Sequence, residues 1–108
     1  MARFQGAEEI PFVQADPGVM RRIRAHTDRL MMVELTFEKG AVGAAHQHEH
    51  DQQTYILEGR FIYTNDGETC QVGTGDVISF ASGVTHSTVC LEKGRILDMF
   101  SPARKDFL

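Results

Sequence analysis

The most informative stretch of this chain is Gly40-Ala41-Val42-Gly43-Ala44-Ala45-His46-Gln47-His48-Glu49-His50-Asp51-Gln52. His46 and His48 are two residues apart, so on a β-strand both imidazoles point to one face. Gln52 keeps the same even spacing, and His86 lies much further along in a similarly strand-like context. Three neutral imidazoles and one carboxamide that converge would suit a divalent transition metal. The pattern therefore predicts a metal site built from two distant segments.

The fourth ligand and the two other histidines leave alternatives open. Gln52 either binds the metal directly or hydrogen-bonds a ligand from outside the coordination shell. Gln53 becomes the ligand if a β-bulge shifts the alternation by one residue. His50 shares the parity of the ligands, yet we expect it at a solvent-exposed rim, and we expect His26 at the surface.

Size and composition limit the class of protein. The 108 residues predict one domain, residues 1–108, with one core. No apolar stretch approaches the roughly 20 residues of a membrane span, and the N-terminus has no apolar run typical of a signal peptide. A formal charge of −4 argues against non-specific binding of nucleic acid. Cys70 and Cys90 form no C-x-x-C pair, which favours two unpaired thiols in a reducing cytoplasm.

Short strands separated by tight turns dominate the rest of the chain. Residues 30–37 alternate between apolar and polar positions, which predicts a half-buried strand. Residues 10–13 resemble a short edge strand that accommodates Pro11. Asn65-Asp66-Gly67 predicts a hairpin, because these residues tolerate positive φ. We expect strand breaks at residues 58–59 and 93–94 and no helix of ten or more residues, which favours a β-sandwich or barrel.

Two motifs resemble those of the cupin family. The first is Gly40-x5-His46-x-His48-x3-Gln52-x6-Gly59, and the second is Gly75-x5-Ala81-x-Gly83-x2-His86. The 15 residues between Gly59 and Gly75 resemble the spacing of a small single-domain cupin. The resemblance implies an all-β fold, a jelly-roll β-barrel with a metal inside. Three positions depart from the family pattern: Gln52 replaces a glutamate, Ala81 a proline and Cys90 an asparagine.

Three further stretches resemble the KdgF-type pectin-degradation cupins. They are Asp28-Arg29-Leu30-Met31-Met32-Val33 with Phe37-Glu38-Lys39-Gly40, then His46 to Tyr55, then Leu97-Asp98-Met99-Phe100-Ser101-Pro102-Ala103-Arg104-Lys105-Asp106-Phe107-Leu108. This resemblance implies ring opening of the 4,5-unsaturated monouronates that pectin or alginate lyases release, to linear ketonised sugar acids.

By position, the same resemblance implies that Asp98, Phe100 and Arg104 act beside the metal. Asp98 is the candidate acid/base, Arg104 could hold a substrate carboxylate, and Phe100 could pack on a sugar face. Asp98 and Phe100 share parity, so both point inward if either does. The alternatives are a buried structural salt bridge for Asp98 and a surface charge or dimer contact for Arg104.

The metal and the reaction each leave choices open. The ligands do not distinguish Ni, Zn, Mn and Fe, although uncharged ligands leave the ion a stronger Lewis acid. Two other functions stay open beside ring opening. One is a quercetinase-like dioxygenase, which would show oxygen uptake, and the other is a non-catalytic sugar-acid binding module, which would show saturable binding without turnover.

We also expect a homodimer, because a domain this small gains core by pairing and Met32 lies on the outer face of its strand. A monomer mass from light scattering would refute the dimer.

Overall fold

The computed structural model of the chain describes residues 2–46 and 48–108, apart from the side chain of His46. The fold within these ranges is all-β, as the sequence predicts. The strands are β1 (Val13–Asp16), β2 (Val19–His26), β3 (Met31–Phe37), β4 (Val42–His46), β5 (Asp51–Asn65), β6 (Glu68–Gly73), β7 (Val77–Phe80) and β8 (His86–Ser101), followed by a 3-10 helix (Lys105–Phe107).

Two long strands, β5 and β8, pair antiparallel along most of their length and organise the architecture. The first half of β5 and the second half of β8 lie in one layer, ordered β1-β2-β3-β8-β5-β7. The other halves of the same two strands lie in a second layer, ordered β4-β8-β5-β6. Strands that pass from one layer to the next make the corner of a barrel or sandwich.

Glycines make this corner possible. The β5–β8 register is irregular between Ile56 and Phe61, where the strands turn. A Cβ on Gly59 would lie 2.6 Å from the Glu92 carbonyl oxygen, and one on Gly94 would lie 2.5 Å from the Glu58 carbonyl oxygen. Gly59 also has a φ of 92°, which favours glycine. The backbones approach so closely here that neither position has room for a side chain.

Three local predictions meet the structure differently. The breaks predicted at residues 58–59 and 93–94 are wrong as strand ends, because both lie inside continuous strands at the corner. The edge strand predicted at residues 10–13 instead begins at Val13, after Pro11, which has no N–H to donate to a ladder. The predicted hairpin is confirmed between β5 and β6, with φ of 51° at Asp66 and 84° at Gly67.

The core fills the space between the two layers. One cluster includes Phe37, Phe61, Tyr63, Phe80 and Ile96, and a second surrounds Met31, Val33 and Phe100. The predicted alternation of β3 is confirmed at Met31, Val33 and Phe37, which are all buried. Among the described residues no helix is long and apolar enough to cross a bilayer.

Candidate functional site

The strand ends remote from the corner meet and bring the predicted site residues together. In the first layer Gln52 lies opposite Phe100, and Thr54 lies opposite Asp98. In the second layer the backbone of His46 lies opposite His86. The His86 ring stacks on Phe80 of the first layer with 4.3 Å between centroids. The register of four strands thus places residues from distant segments at one end of the molecule.

The histidine segment does not follow the strand alternation predicted for it. β4 ends at His46 and β5 begins at Asp51, so His48 lies in the connection between them. The His48 ring nevertheless points to the site, with its centroid 5.2 Å from that of His86 and 5.7 Å from that of Phe100. The predicted role of the His46 side chain falls outside the described residues.

The two glutamines that could be the fourth metal ligand differ in burial and in the face of β5 on which they lie. Gln52 is 4% exposed and faces the site, whereas Gln53 is exposed on the opposite face of β5. No bulge displaces the alternation there, because the β5–β8 pairing is regular from Asp51 to Ile56.

A directed chain of hydrogen bonds runs across the first layer. The Gln52 amide Nε2 donates to the Thr54 hydroxyl at 3.0 Å, and that hydroxyl donates to Asp98 Oδ1 at 2.6 Å. Because the amide nitrogen is used by Thr54, the amide oxygen of Gln52 faces the other way, 3.1 Å from His48 Nε2. The chain therefore links the histidine end of the site to a buried carboxyl group.

The arrangement of His48 and Gln52 suits a cation. His48 Nδ1 lies 3.0 Å from the His50 carbonyl oxygen, which can only accept, so Nδ1 carries a proton. In the neutral ring Nε2 then has a lone pair directed at the Gln52 oxygen, itself an acceptor. Two acceptors at this distance require either a second proton on the ring or a cation bound by both. Two ligand atoms that bind one ion at right angles, each at about 2.1 Å, are separated by about 3 Å, which matches the distance between His48 Nε2 and the Gln52 oxygen.

His86 has a matching arrangement. Its Nδ1 lies 3.2 Å from the Val84 carbonyl oxygen, which favours the tautomer whose Nε2 is the metal-binding nitrogen. The donor set of His48, Gln52 and His86 thus fits a divalent metal. No group of three His, Cys, Asp or Glu residues in metal-binding arrangement occurs among the described residues. Those four residue types leave out Gln52, and the described residues leave out the His46 side chain.

Asp98 is a titratable group in an unusual environment. It is 7% exposed. Burial raises its pKa to about 6, although hydrogen bonds from Thr54 and Gln52 and the charge of Arg104 act in the opposite direction. A carboxyl group of this kind can carry or release a proton near neutral pH.

A cavity of about 280 Å³ opens beside this carboxyl group. Its wall contains five of the predicted site residues, namely Gln52, His86, Asp98, Phe100 and Arg104. Phe100 and Asp98 both point inward, as their shared parity predicts. A larger groove of about 740 Å³ lies outside β2, along the N-terminal segment, and none of the predicted metal or catalytic residues lines it.

The Arg104 side chain is mostly buried and is held in place by an ion pair. Its side chain is 13% exposed and makes a bidentate pair with Asp106, with Nε at 2.9 Å and Nη2 at 2.7 Å from the carboxylate oxygens. Its guanidinium carbon lies 5.2 Å from the Phe100 ring centroid and 4.2 Å from that of Phe107. Asp106 thus occupies two of the N–H groups that sequence reasoning assigned to a substrate carboxylate.

Several residues of the site escape sequence reasoning. Thr54 lies two residues after Gln52 on the same strand face, so its parity is a signal that could have found it. Tyr63 lines the cavity, and burial raises its pKa well above the ordinary range, which keeps its hydroxyl protonated. Phe107 and Arg21 also line the cavity, but only the tertiary structure brings these two distant segments together. His50 is half-buried beside the His48 and Phe100 rings, and His26 is exposed.

The jelly-roll arrangement of strands, with histidines and a glutamine at its open end, defines a cupin. A sequence profile described as "Cupin domain" matches residues 33–100, and the chain belongs to this family. Within the family, the chain is 40% identical over 110 residues to the pectin degradation protein KdgF of Dickeya dadantii (strain 3937), with 100% of both chains covered.

Solved structures agree with this resemblance. KdgF from Halomonas sp. has a TM-score of 0.95 and 38% identity, with both chains covered completely. An RmlC-like cupin from Shewanella frigidimarina also has a TM-score of 0.95, with 34% identity and coverage of 100% of this chain and 97% of that one. The predicted resemblance to KdgF-type cupins is confirmed.

Proposed function

We propose that this protein opens the ring of 4,5-unsaturated monouronates, such as pectin or alginate lyases release, and yields the linear keto acid. The observation that carries the proposal is the series of hydrogen bonds from Gln52 through Thr54 to Asp98. It ends at a cavity that His86 and Arg104 also line. Full-length similarity to a protein named for pectin degradation supports the substrate class.

The proposed reaction needs only the relocation of a proton. The substrate ring is a hemiacetal at C1 and an enol ether at C5. A proton leaves the C1 hydroxyl, the bond between C1 and the ring oxygen breaks, and its electron pair stays on that oxygen as an enolate. A proton added to C4 then converts the enolate to a ketone at C5, so no atom is gained or lost. Asp98 accepts the first proton and returns one to C4.

The other residues hold the substrate around Asp98. His46, His48, His86 and Gln52 would bind a divalent ion, as cupins commonly do, and it would supply Lewis acidity towards a sugar oxygen. Phe100 forms an apolar wall beside the sugar. Arg104, fixed by Asp106, presents its remaining N–H groups and a positive charge to the acid.

Two wider expectations belong to the same proposal. The chain acts as a homodimer, and the exposed apolar side chains of Val13, Met20 and Leu30 offer surface for the contact. It works in the cytoplasm, where the unpaired thiols of Cys70 and Cys90 stay reduced.

The test is turnover of the lyase-derived unsaturated monouronate, followed by loss of the absorbance of its enol ether. With metal bound, the wild-type protein should accelerate the loss and Asp98→Asn should reduce kcat by about 10²–10⁴-fold, as expected for a lost acid/base. Asp28→Asn makes the same chemical change at an exposed loop position and should leave kcat unchanged.

The proposal is wrong if the metal-loaded wild-type protein gives no acceleration over buffer. Saturable binding without turnover in that experiment would instead support a sugar-acid binding module. Equal losses in Asp98→Asn and Asp28→Asn would remove Asp98 from the mechanism.

A further inference from the structure

Arg21 is a charged residue on the inner face of β2. It lies between Val19, which is 1% exposed, and the half-buried Ile23, and in register it is opposite Leu35 of β3. Alternate residues of a strand share a face, so Arg21 points to the interior together with apolar neighbours. It lines the same cavity as Asp98.

The contacts of Arg21 place it close to Arg104. The Arg21 guanidinium carbon lies 3.9 Å from the Phe107 ring centroid, and that of Arg104 lies 4.2 Å from the same centroid. The two cations are therefore no more than about 8 Å apart, within cation–π distance of one ring. A single sugar acid in the cavity can reach both.

The two arginines differ in their counter-charges. Arg104 is paired with Asp106 through two N–H groups. Arg21 takes part in none of the ion pairs found among the described residues, although Asp16 lines the same cavity. Two guanidinium groups this close repel one another, and an anion between or beside them relieves that repulsion.

We propose that Arg21 binds the carboxylate of the sugar acid and makes the cavity selective for anionic over neutral sugars. The inference rests on the proposed function for its substrate class. Arg21 suits the role because its planar fork of N–H groups is not used by a protein carboxylate, whereas that of Arg104 is. The Phe107 ring packs against the Arg21 guanidinium, so less conformational entropy is lost when the acid binds than for a side chain free in solvent.

The test is binding of D-galacturonate, a saturated uronate that has no enol ether to react, to the metal-loaded protein by calorimetry. Arg21→Gln should weaken this binding by about 10–100-fold, which is the loss expected for hydrogen bonds to a charged group. Arg24→Gln removes the same charge from the same strand, outside the cavity, and should change the affinity by less than about twofold. With the unsaturated substrate, Arg21→Gln should raise KM and leave kcat nearly unchanged, because the carboxylate does not react.

Unaltered galacturonate affinity in Arg21→Gln would overturn the inference, and so would an equal loss in Arg24→Gln or no saturable binding by the wild-type protein. If Arg21→Gln does not fold, Arg21→Lys keeps the charge without the fork and should still weaken binding several-fold. The readout is independent of turnover. Tight galacturonate binding that depends on Arg21 in a protein without ring-opening activity would support this inference and contradict the proposed function.

Discussion

At the scale of single residues, the site depends on a carboxyl group kept from water. The Gln52 amide donates a hydrogen bond to the Thr54 hydroxyl, and this hydroxyl donates one to Asp98. Because both hydrogen bonds run in the same direction, they orient all three side chains together. Burial favours the neutral form of Asp98 more than these hydrogen bonds favour the charged one, and the pKa rises to about 6.

This raised pKa predicts how stability depends on pH in metal-free protein. The folded state binds the proton of Asp98 more tightly than the unfolded state, where the pKa is near 3.8. The stabilising effect of the neutral carboxyl group is therefore complete below pH 3.8 and is lost as the pH rises through about 6. The difference corresponds to about 3 kcal/mol of unfolding free energy at about 1.4 kcal/mol per pKa unit.

Asp98→Asn provides the comparison, because an amide does not titrate in this range. Urea unfolding between pH 4 and pH 8 should show the wild-type protein losing stability relative to Asp98→Asn as the pH rises, with most of the change falling between about pH 4 and about pH 6 and little further change above that. A stability difference that stays constant across this range, or changes with the opposite sign, would show that burial does not raise this pKa.

At the scale of elements, the corner in β5 and β8 decides whether the two layers can face each other. Gly94 lies where the strands cross most closely, and the space that a side chain would occupy is filled by the Glu58 carbonyl oxygen and the Phe61 ring. Both strands stay hydrogen-bonded to each other on either side of this point, so one distortion would disturb both layers.

Gly94→Ala should therefore destabilise the protein markedly. The new Cβ would lie 2.5 Å from a backbone oxygen and 2.7 Å from Phe61 Cζ, and we expect a loss of about 3 kcal/mol or more in unfolding free energy. Gly73→Ala is the matched control, because its Cβ would have no neighbour closer than 3.8 Å. Chemical denaturation measures both, and equal stability of the two variants would contradict the steric account of the corner.

At the scale of the whole molecule, the candidate metal site joins the two layers. Gln52 belongs to the first layer, whereas His86 and the backbone of His46 belong to the second. An ion bound to the folded protein alone stabilises it according to its concentration and affinity, and one held from both layers resists their separation.

Metal removal should consequently lower the thermal stability. Saturation at 100 times Kd contributes about 2.7 kcal/mol, which raises Tm by roughly 10 °C or more in a domain of this size. His86→Ala should abolish the difference between metal-loaded and chelator-treated protein, whereas His26→Ala, at an exposed position, should preserve it. Identical melting curves of wild-type protein with added metal and with chelator would contradict the assignment of a metal to this site.

The sequence alone was sufficient for the all-β class, for the hairpin at Asp66 and Gly67, and for five of the side chains that line the cavity. Strand alternation and turn chemistry are local, so residues near in sequence reveal them. Alternation also put Asp98 and Phe100 on one common face of their strand, and the structure shows that this face points inward.

Only the tertiary structure decided what depends on distant segments. Strand breaks were predicted near Gly59 and Gly94, but the structure has a corner there because two strands cross. Each glycine is required by close contact with backbone that is distant in sequence, Glu92 for Gly59 and Glu58 for Gly94. Arg21 and Phe107 joined the site through packing between a strand and the C-terminal helix, which no local pattern encodes. Arg104 found its carboxylate in Asp106, since a nearby side chain can satisfy the same hydrogen bonds as a ligand.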